Sequence, residues 1–384
     1  MFTVPLPVDD LPTLRRRRSV KWSTHPDDVL PLPVAEMDFG LAPSIQQALA
    51  DAVARSDTGY GVGPGALTDA LVGFARDRLG WTIDPASVTA VTDVGVAAVE
   101  VLRLLCRPGD EVVINPPVYS PFFDWLPEAG VRILEVPLQH NETGWCLDLD
   151  ALADVFARRR PAAFLLCNPQ NPVGRVHSAE ELAEVVRLAH DHGVRVVADE
   201  IHAPLVLPGA RMTPFLTVPG AAEIGVSLVS ASKAWNLAGL KCASVVTASD
   251  EMGKVLRGLP ADTRWRIGHF GVLAAIAAFT DGRDWLDALV ATLDLRRRQL
   301  GDLLAERLPQ VSWTAPEATF LAWLDCRAIG SGSEPCERFL ERGRVALEPG
   351  PKFGPPGSGW VRLNFATSEE ILDEAVTRMA AALT

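Results

Sequence analysis

Short apolar runs alternate with longer stretches of helical period along most of this 384-residue chain. Val88–Thr92, Glu111–Ile114, Arg132–Val136, Ala163–Cys167, Arg195–Ala198, Gly225–Val229 and Ala243–Thr247 are brief, largely apolar and bounded by turn-forming or polar residues. That pattern predicts buried strands. Between them, Val96–Leu105, Ser120–Ala129, Leu149–Arg158 and Ala179–His192 carry apolar residues at helical spacing. Strands separated by helices predict an α/β domain with a mostly parallel sheet. Upstream, residues 1–45 are rich in Pro and read as irregular. A helix from Pro43 and another over Leu67–Leu79 flank the glycine-rich loop Gly59–Gly65. From about Gly271 helical patterns take over, through Trp285–Leu308. Val311–Trp313, Thr319–Leu324 and Val361–Phe365 then predict strands and Glu369–Leu383 a closing helix, a smaller α+β domain. The expected division is an N-terminal arm with part of the small domain (1–45), a large domain (46–284) and a C-terminal small domain (285–384).

Composition narrows the class. A formal net charge of −12 argues against a nucleic-acid partner. The longest apolar runs are too short to cross a bilayer. The Pro-rich start carries two Asp and does not read as a signal peptide, so a cytoplasmic location is expected. Six cysteines without a C-x-x-C pair read as reduced core residues, with no metal site expected.

The polar exceptions fall at strand ends. Asn168-Pro169-Gln170-Asn171-Pro172-Val173-Gly174 follows one strand, Asp199-Glu200-Ile201-His202 the next, and Ser230-Ala231-Ser232-Lys233-Ala234-Trp235-Asn236 another. Asp93-Val94-Gly95-Val96 opens a helix, whose free N–H groups suit an anion. Ligands of open α/β sheets bind beyond the carboxyl ends of the strands. One sheet edge is therefore expected to gather an anion cup, an amide, a carboxylate and an amine. Lys233 and Lys241 are two of only five lysines, and a partly buried lysine can act as a Schiff-base former and proton carrier. A phosphorylated pyridine aldehyde needs such a set: N–H groups and a cation for phosphate, a carboxylate for the ring nitrogen, an amine for the aldehyde.

These phrases, together with Ser19-Val20-Lys21-Trp22, Val34-Ala35-Glu36-Met37-Asp38-Phe39, Gly59-Tyr60-Gly61, Pro117-Val118-Tyr119-Ser120-Pro121-Phe122 and Arg362-Leu363-Asn364-Phe365-Ala366, span nearly the whole chain. In that order the chain resembles the fold type I pyridoxal 5'-phosphate enzymes, the class I/II aminotransferase superfamily. Within it the chain is most similar to the cystathionine β-lyase-like carbon–sulfur lyases, the MalY/PatB family. The resemblance implies a large domain with a sheet of the seven-stranded type, pyridoxal phosphate as cofactor, an amino-acid substrate, and a homodimer with composite active sites.

The resemblance also implies roles. Lys233 resembles the lysine that holds the cofactor aldehyde, Asp199 the partner of the pyridine nitrogen, and Tyr119 the ring stacked on the cofactor; these form the catalytic set. Asn171 and His202 resemble the groups serving the phenolic oxygen. Gly95, Val96, Ser230 and Lys241 resemble the phosphate cup, and Tyr60 a tyrosine reaching the phosphate from the neighbouring subunit. Arg362 resembles the clamp on the substrate α-carboxylate, with Ala35, Asn171 and Trp22 as further substrate contacts. A cis Asn171–Pro172 bond is implied. The only two tyrosines of the chain, Tyr60 and Tyr119, both fall in these motifs.

Departures from the pattern concern Glu36, Pro204, Lys241 and the Asp93–Val96 wording. β-Elimination to thiol, pyruvate and ammonia is the expected reaction. The same residues also serve an aminotransferase, and a regulatory protein retaining the fold is a further alternative.

Overall fold

The computed structural model describes residues 5–61, 65–142, 144–330 and 334–383. The centre of the glycine-rich loop, residues 62–64, lies outside them, as do the first four residues of the arm.

Seven strands form one sheet: β1 Val88–Val91, β2 Glu111–Ile114, β3 Arg132–Glu135, β4 Ala163–Cys167, β5 Arg195–Asp199, β6 Gly225–Val229 and β7 Ala243–Val246. Their order is β1-β7-β6-β5-β4-β2-β3. β2 to β6 pair in parallel, and β7 runs antiparallel to both β1 and β6. The central strands are apolar throughout because both faces are covered. On β4, Phe164 and Leu166 enter one hydrophobic core while Ala163, Leu165 and Cys167 enter the other. This explains why they read as continuous runs without alternation.

Reversal of β7 has a functional consequence. The carboxyl ends of β1, β4, β5 and β6 lie along one edge of the sheet. Because β7 points the other way, its amino end lies there too, which delivers Lys241 to the same edge.

Helices cover both faces. Helix α1 spans Pro43–Ala54, α2 Gly65–Leu79, α3 Val94–Leu105 and α4 Ala179–His192. α3 begins two residues before the apolar period predicts. The Asp93 side chain accepts the Val96 N–H and caps the helix, which draws Val94 and Gly95 into its first turn. α4 opens with a capping box in which Ser178 and Glu181 satisfy each other's backbone N–H groups, and it ends at Gly193 in the left-handed region.

A 25-residue helix, α5 Arg283–Arg307, leads to a second sheet. Its strands are β8 Ser312–Trp313, β9 Leu321–Asp325, β10 Glu348–Pro349 and β11 Trp360–Asn364, all antiparallel in the order β8-β9-β11-β10. The N-terminal segment joins this sheet's side. Leu30–Pro31 pairs in parallel with Val345–Ala346, and the Leu32 carbonyl accepts the Asn364 N–H at 2.9 Å. The hairpin Gln139–Asn141 with Gly144–Cys146 and the helix Pro335–Glu341 are additions that the apolar pattern does not predict. They are too short to show a period. Among the described residues no helix is long and apolar enough to cross a membrane.

Candidate active site

A cavity of about 420 Å³ opens at the edge where the strand ends converge. Asp93, Gly95, Val96, Tyr119, Asn171, Asp199, His202, Lys233 and Lys241 all line it. Residues separated by as many as 148 positions thus meet at one point.

Asp199, the last residue of β5, is buried. Its Oδ1 accepts the Ile201 N–H at 3.1 Å. Burial raises its pKa to about 7, against the opposing pull of that N–H and of the Lys233 charge. A buried acid held this way is suited to a cationic N–H.

Lys233 lies just beyond β6. Its Nζ donates to the Ala35 carbonyl at 3.2 Å. Burial, aided by the Arg362 charge, lowers its pKa to about 8, so a useful fraction is neutral amine near pH 7.

Asn171 and Arg362 join the two sheets. Arg362, on β11, is buried, and its Nη1 donates to Asn171 Oδ1 at 3.1 Å while Nη2 donates to the Pro33 carbonyl at 2.9 Å. With its oxygen taken, the Asn171 amide has its N–H group left to offer a ligand. The Asn171–Pro172 peptide is cis. The Phe353 ring lies 4.8 Å from the guanidinium carbon, a cation–π contact away from water. The Phe353 carbonyl in turn accepts the Val118 N–H at 3.0 Å, next to Tyr119.

Tyr119 is set edge-on against Phe122 and Trp125, with centroids 6.0 and 5.6 Å away. Burial and the Asp199 charge push its hydroxyl up to about 12, so it stays neutral. His202 is buried and burial lowers it to about 3, reinforced by Lys233 and Arg362; the ring is neutral.

At the other end of the cavity, Gly95 and Val96 form the first turn of α3. A Cβ on Gly95 would come within 2.8 Å of the Trp125 ring, so this turn packs directly on the indole. Lys241 has φ of +61° and pairs with Asp93 at 3.0 Å. The Ser230 hydroxyl accepts the Ser232 N–H and donates to the Cys242 carbonyl.

Five of the residues named from sequence are not in the cavity wall: Arg362 and Ser230, whose bonds are given above, and Ala35, Trp22 and Tyr60. Ala35 meets the site through its carbonyl, bonded to Lys233. Trp22 is buried with its indole N–H on Asp38 Oδ1 at 2.8 Å, and it is not part of the cavity wall. Tyr60 is 86% exposed and rests edge-on against Trp265.

Other contributors escaped sequence reasoning. Trp125 walls the cavity beside Tyr119. Asn236 clamps the Met37 backbone through both its N–H and its carbonyl. Met37, Ala35 and Lys233 are thereby held as one unit. Asn236 stands three residues after Lys233, and only its left-handed backbone (φ +60°) turns it back towards the arm.

A pyridine aldehyde bearing a phosphate fits this donor set. It would bring a protonated ring nitrogen to a buried acid, an aldehyde to an amine of lowered pKa, and an anion to a helix N-terminus with a lysine.

Comparison with known proteins agrees with the geometry. A family model described as "Aminotransferase class I and II" matches residues 27–379. A Mycobacterium leprae protein provisionally named cystathionine beta-lyase is 45% identical over 100% of this chain and 99% of its own length. Cystathionine beta-lyase PatB of Bacillus subtilis is 35% identical over 95% of this chain and 97% of its own. A crystal structure from Corynebacterium diphtheriae, provisionally described as a PLP-dependent beta-cystathionase, superposes with a TM-score of 0.93 at 34% identity, covering 98% of this chain and 99% of the other. With the fold, the cavity and the matched sequence coinciding over almost its full length, the chain belongs to the aminotransferase class I and II family.

Proposed function

We propose that this protein is a pyridoxal-phosphate-dependent carbon–sulfur β-lyase, cleaving cystathionine or a related cysteine S-conjugate to a thiol, pyruvate and ammonia. The observation that carries the reading is the meeting of Lys233, pushed down to about 8, and Asp199, pushed up to about 7, in one cavity whose wall residue Asn171 is bonded to Arg362. The names of the lyases at 35–45% identity support the choice of reaction.

Lys233 would hold the cofactor aldehyde, Asp199 the ring nitrogen, and Asn171 with His202 the phenolic oxygen. Tyr119 would face the ring. Gly95, Val96, Ser230 and Lys241 would receive the phosphate. When bound, the cofactor supplies an electron-poor ring that accepts the electron pair of the broken Cα–H bond.

The chain's own residues do the rest. Arg362 binds the substrate α-carboxylate through a planar fork fixed by Asn171, Pro33 and Phe353. Lys233 would be the general base for the Cα proton. Its Ala35 contact keeps the amine on that side of the cavity. The Cβ–S bond then breaks with its electron pair leaving on sulfur, and a proton completes the thiol. One water is consumed overall, giving pyruvate and ammonium.

In this reading residues 46–284 would hold the cofactor, while 1–45 and 285–384 would supply the clamp. Tyr60 stands away from its own cavity, which supports a homodimer in which it completes the partner's site. Six free cysteines support a reducing, cytoplasmic setting.

A second reading, an aminotransferase, is favoured by the family description itself. Both reactions share Lys233 and Asp199. The discriminating experiment incubates purified holoenzyme with cystathionine in the absence of any keto acid. Continuous pyruvate release supports the lyase. Accumulation of the amine form of the cofactor, relieved only by a keto acid, supports the aminotransferase.

A further inference from the structure

Asp93 is a carboxylate in the wall of the anion cup. Its Oδ1 accepts the Val96 N–H at 2.8 Å, and its Oδ2 accepts from Lys241 Nζ at 3.0 Å. Both donors line the same cavity as Asp93. They are also two of the groups assigned above to the cofactor's phosphate. The carboxylate therefore sits where an anion's first contacts would be made, and it already holds them.

Other features fix this arrangement. Asp93 is the N-cap of α3, so its backbone is set by the helix that follows. Lys241 reaches the edge because β7 is reversed, and its left-handed backbone fixes the direction of its side chain. Gly95 is packed against Trp125, so the first turn of α3 cannot shift away from its cap.

We propose that Asp93 sets how firmly this protein holds its cofactor, by competing with the phosphate for Val96 and Lys241. The proposal rests on the functional reading above. A phosphate entering the cup must share Lys241 with a like-charged carboxylate or displace it. The pair is half-exposed, with side-chain exposures of 55% and 32% for Lys241 and Asp93. Solvent screening therefore limits the penalty to about two- to fivefold in affinity. The protein would take up and release its cofactor more readily than one with a neutral cap.

Asp93→Asn and Asp93→Ser both keep a side-chain acceptor for the helix cap, so the fold is retained. Titrating cofactor-free protein with pyridoxal phosphate, followed by tryptophan fluorescence and the visible band, should show both variants binding about two- to fivefold more tightly than wild type. Pyridoxal, which lacks the phosphate, should bind all three proteins alike. Unchanged or weaker binding of pyridoxal phosphate by both variants would overturn the proposal, as would an equal gain for pyridoxal. A wild type that binds no pyridoxal phosphate at all would overturn the functional reading instead, and this inference with it.

Discussion

Arg362 Nη1 donates to Asn171 Oδ1 at 3.1 Å, and through this bond the antiparallel sheet reaches the loop that follows β4. A substrate held by Arg362 would thus be fixed relative to the amide at the cofactor's edge. Lysine can keep the charge but not the fork. Arg362→Lys should lower kcat/KM by about one to two decades, the equivalent of a lost charge-assisted hydrogen bond of roughly 1.5–3 kcal/mol. The visible spectrum of the bound cofactor should be unchanged. Steady-state kinetics beside the absorption spectrum checks both halves.

Asp199 gives a pH-dependent prediction for the cofactor-free protein. Its folded pKa, about 7, lies above the ordinary carboxylate value of 3.8. The folded state therefore binds the extra proton between these values. Its contribution is fully present below about pH 4 and is lost as pH rises towards 7. Asp199→Asn removes this loss. Melting temperatures of the two cofactor-free proteins should diverge in favour of the variant as pH rises from about 4 to about 7. His177 and His202, lowered by burial, act in the opposite sense but are common to both proteins and cancel in the difference. Parallel melting profiles would contradict the buried-acid assignment.

The arm carries its own test. Lys21 Nζ and Asp38 Oδ2 form a fully buried ion pair at 2.8 Å, and Trp22 holds the other Asp38 oxygen. Asp38→Ala should cost roughly 3–5 kcal/mol, because it strands a buried ammonium. Trp22→Phe should lower stability by about 1–3 kcal/mol by leaving a buried acceptor unpaired. Its KM should be much less affected than if Trp22 walled the substrate pocket. Chemical denaturation measures the first two effects, and substrate titration the third.

Much of this was legible from residue order. The central strands announced themselves because burial on both faces demands unbroken apolar runs. The chemistry stood out because polar residues at the ends of such strands have no packing role. The reversal of β7 was not legible, since a strand's direction leaves no mark on its period, and with it the way Lys241 reaches the cup was hidden. Residue order places Asp93 in an anion site, yet only the folded chain shows its carboxylate holding the donors. The pairing of Lys21 with Asp38, and the grip of Asn236 on Met37, join residues from 17 to 199 positions apart. No local pattern encodes such contacts. Trp125 carries no mark of its place in the wall, because an indole on an apolar helix face reads the same whether or not its other side meets a cavity.

Assembly can be tested by complementation. If Tyr60 completes the partner's site, Lys233→Ala and Tyr60→Ala should each be impaired as homodimers. Mixing and re-equilibrating them should then restore activity, since the hybrid has one site with both residues intact. Sedimentation should report a dimer throughout. A mixture no more active than its parts, or a fully active monomer, would count against the composite site.

In the proposed reading Lys233 would carry the cofactor, and borohydride trapping reads out that linkage. Holoenzyme reduced with borohydride, digested and analysed by mass spectrometry should carry a stable pyridoxyl phosphate adduct on the peptide containing Lys233. Lys233→Ala should carry none there and should lack the visible band. An adduct confined to Lys241 or another lysine, or a protein that takes up no cofactor, would contradict the account.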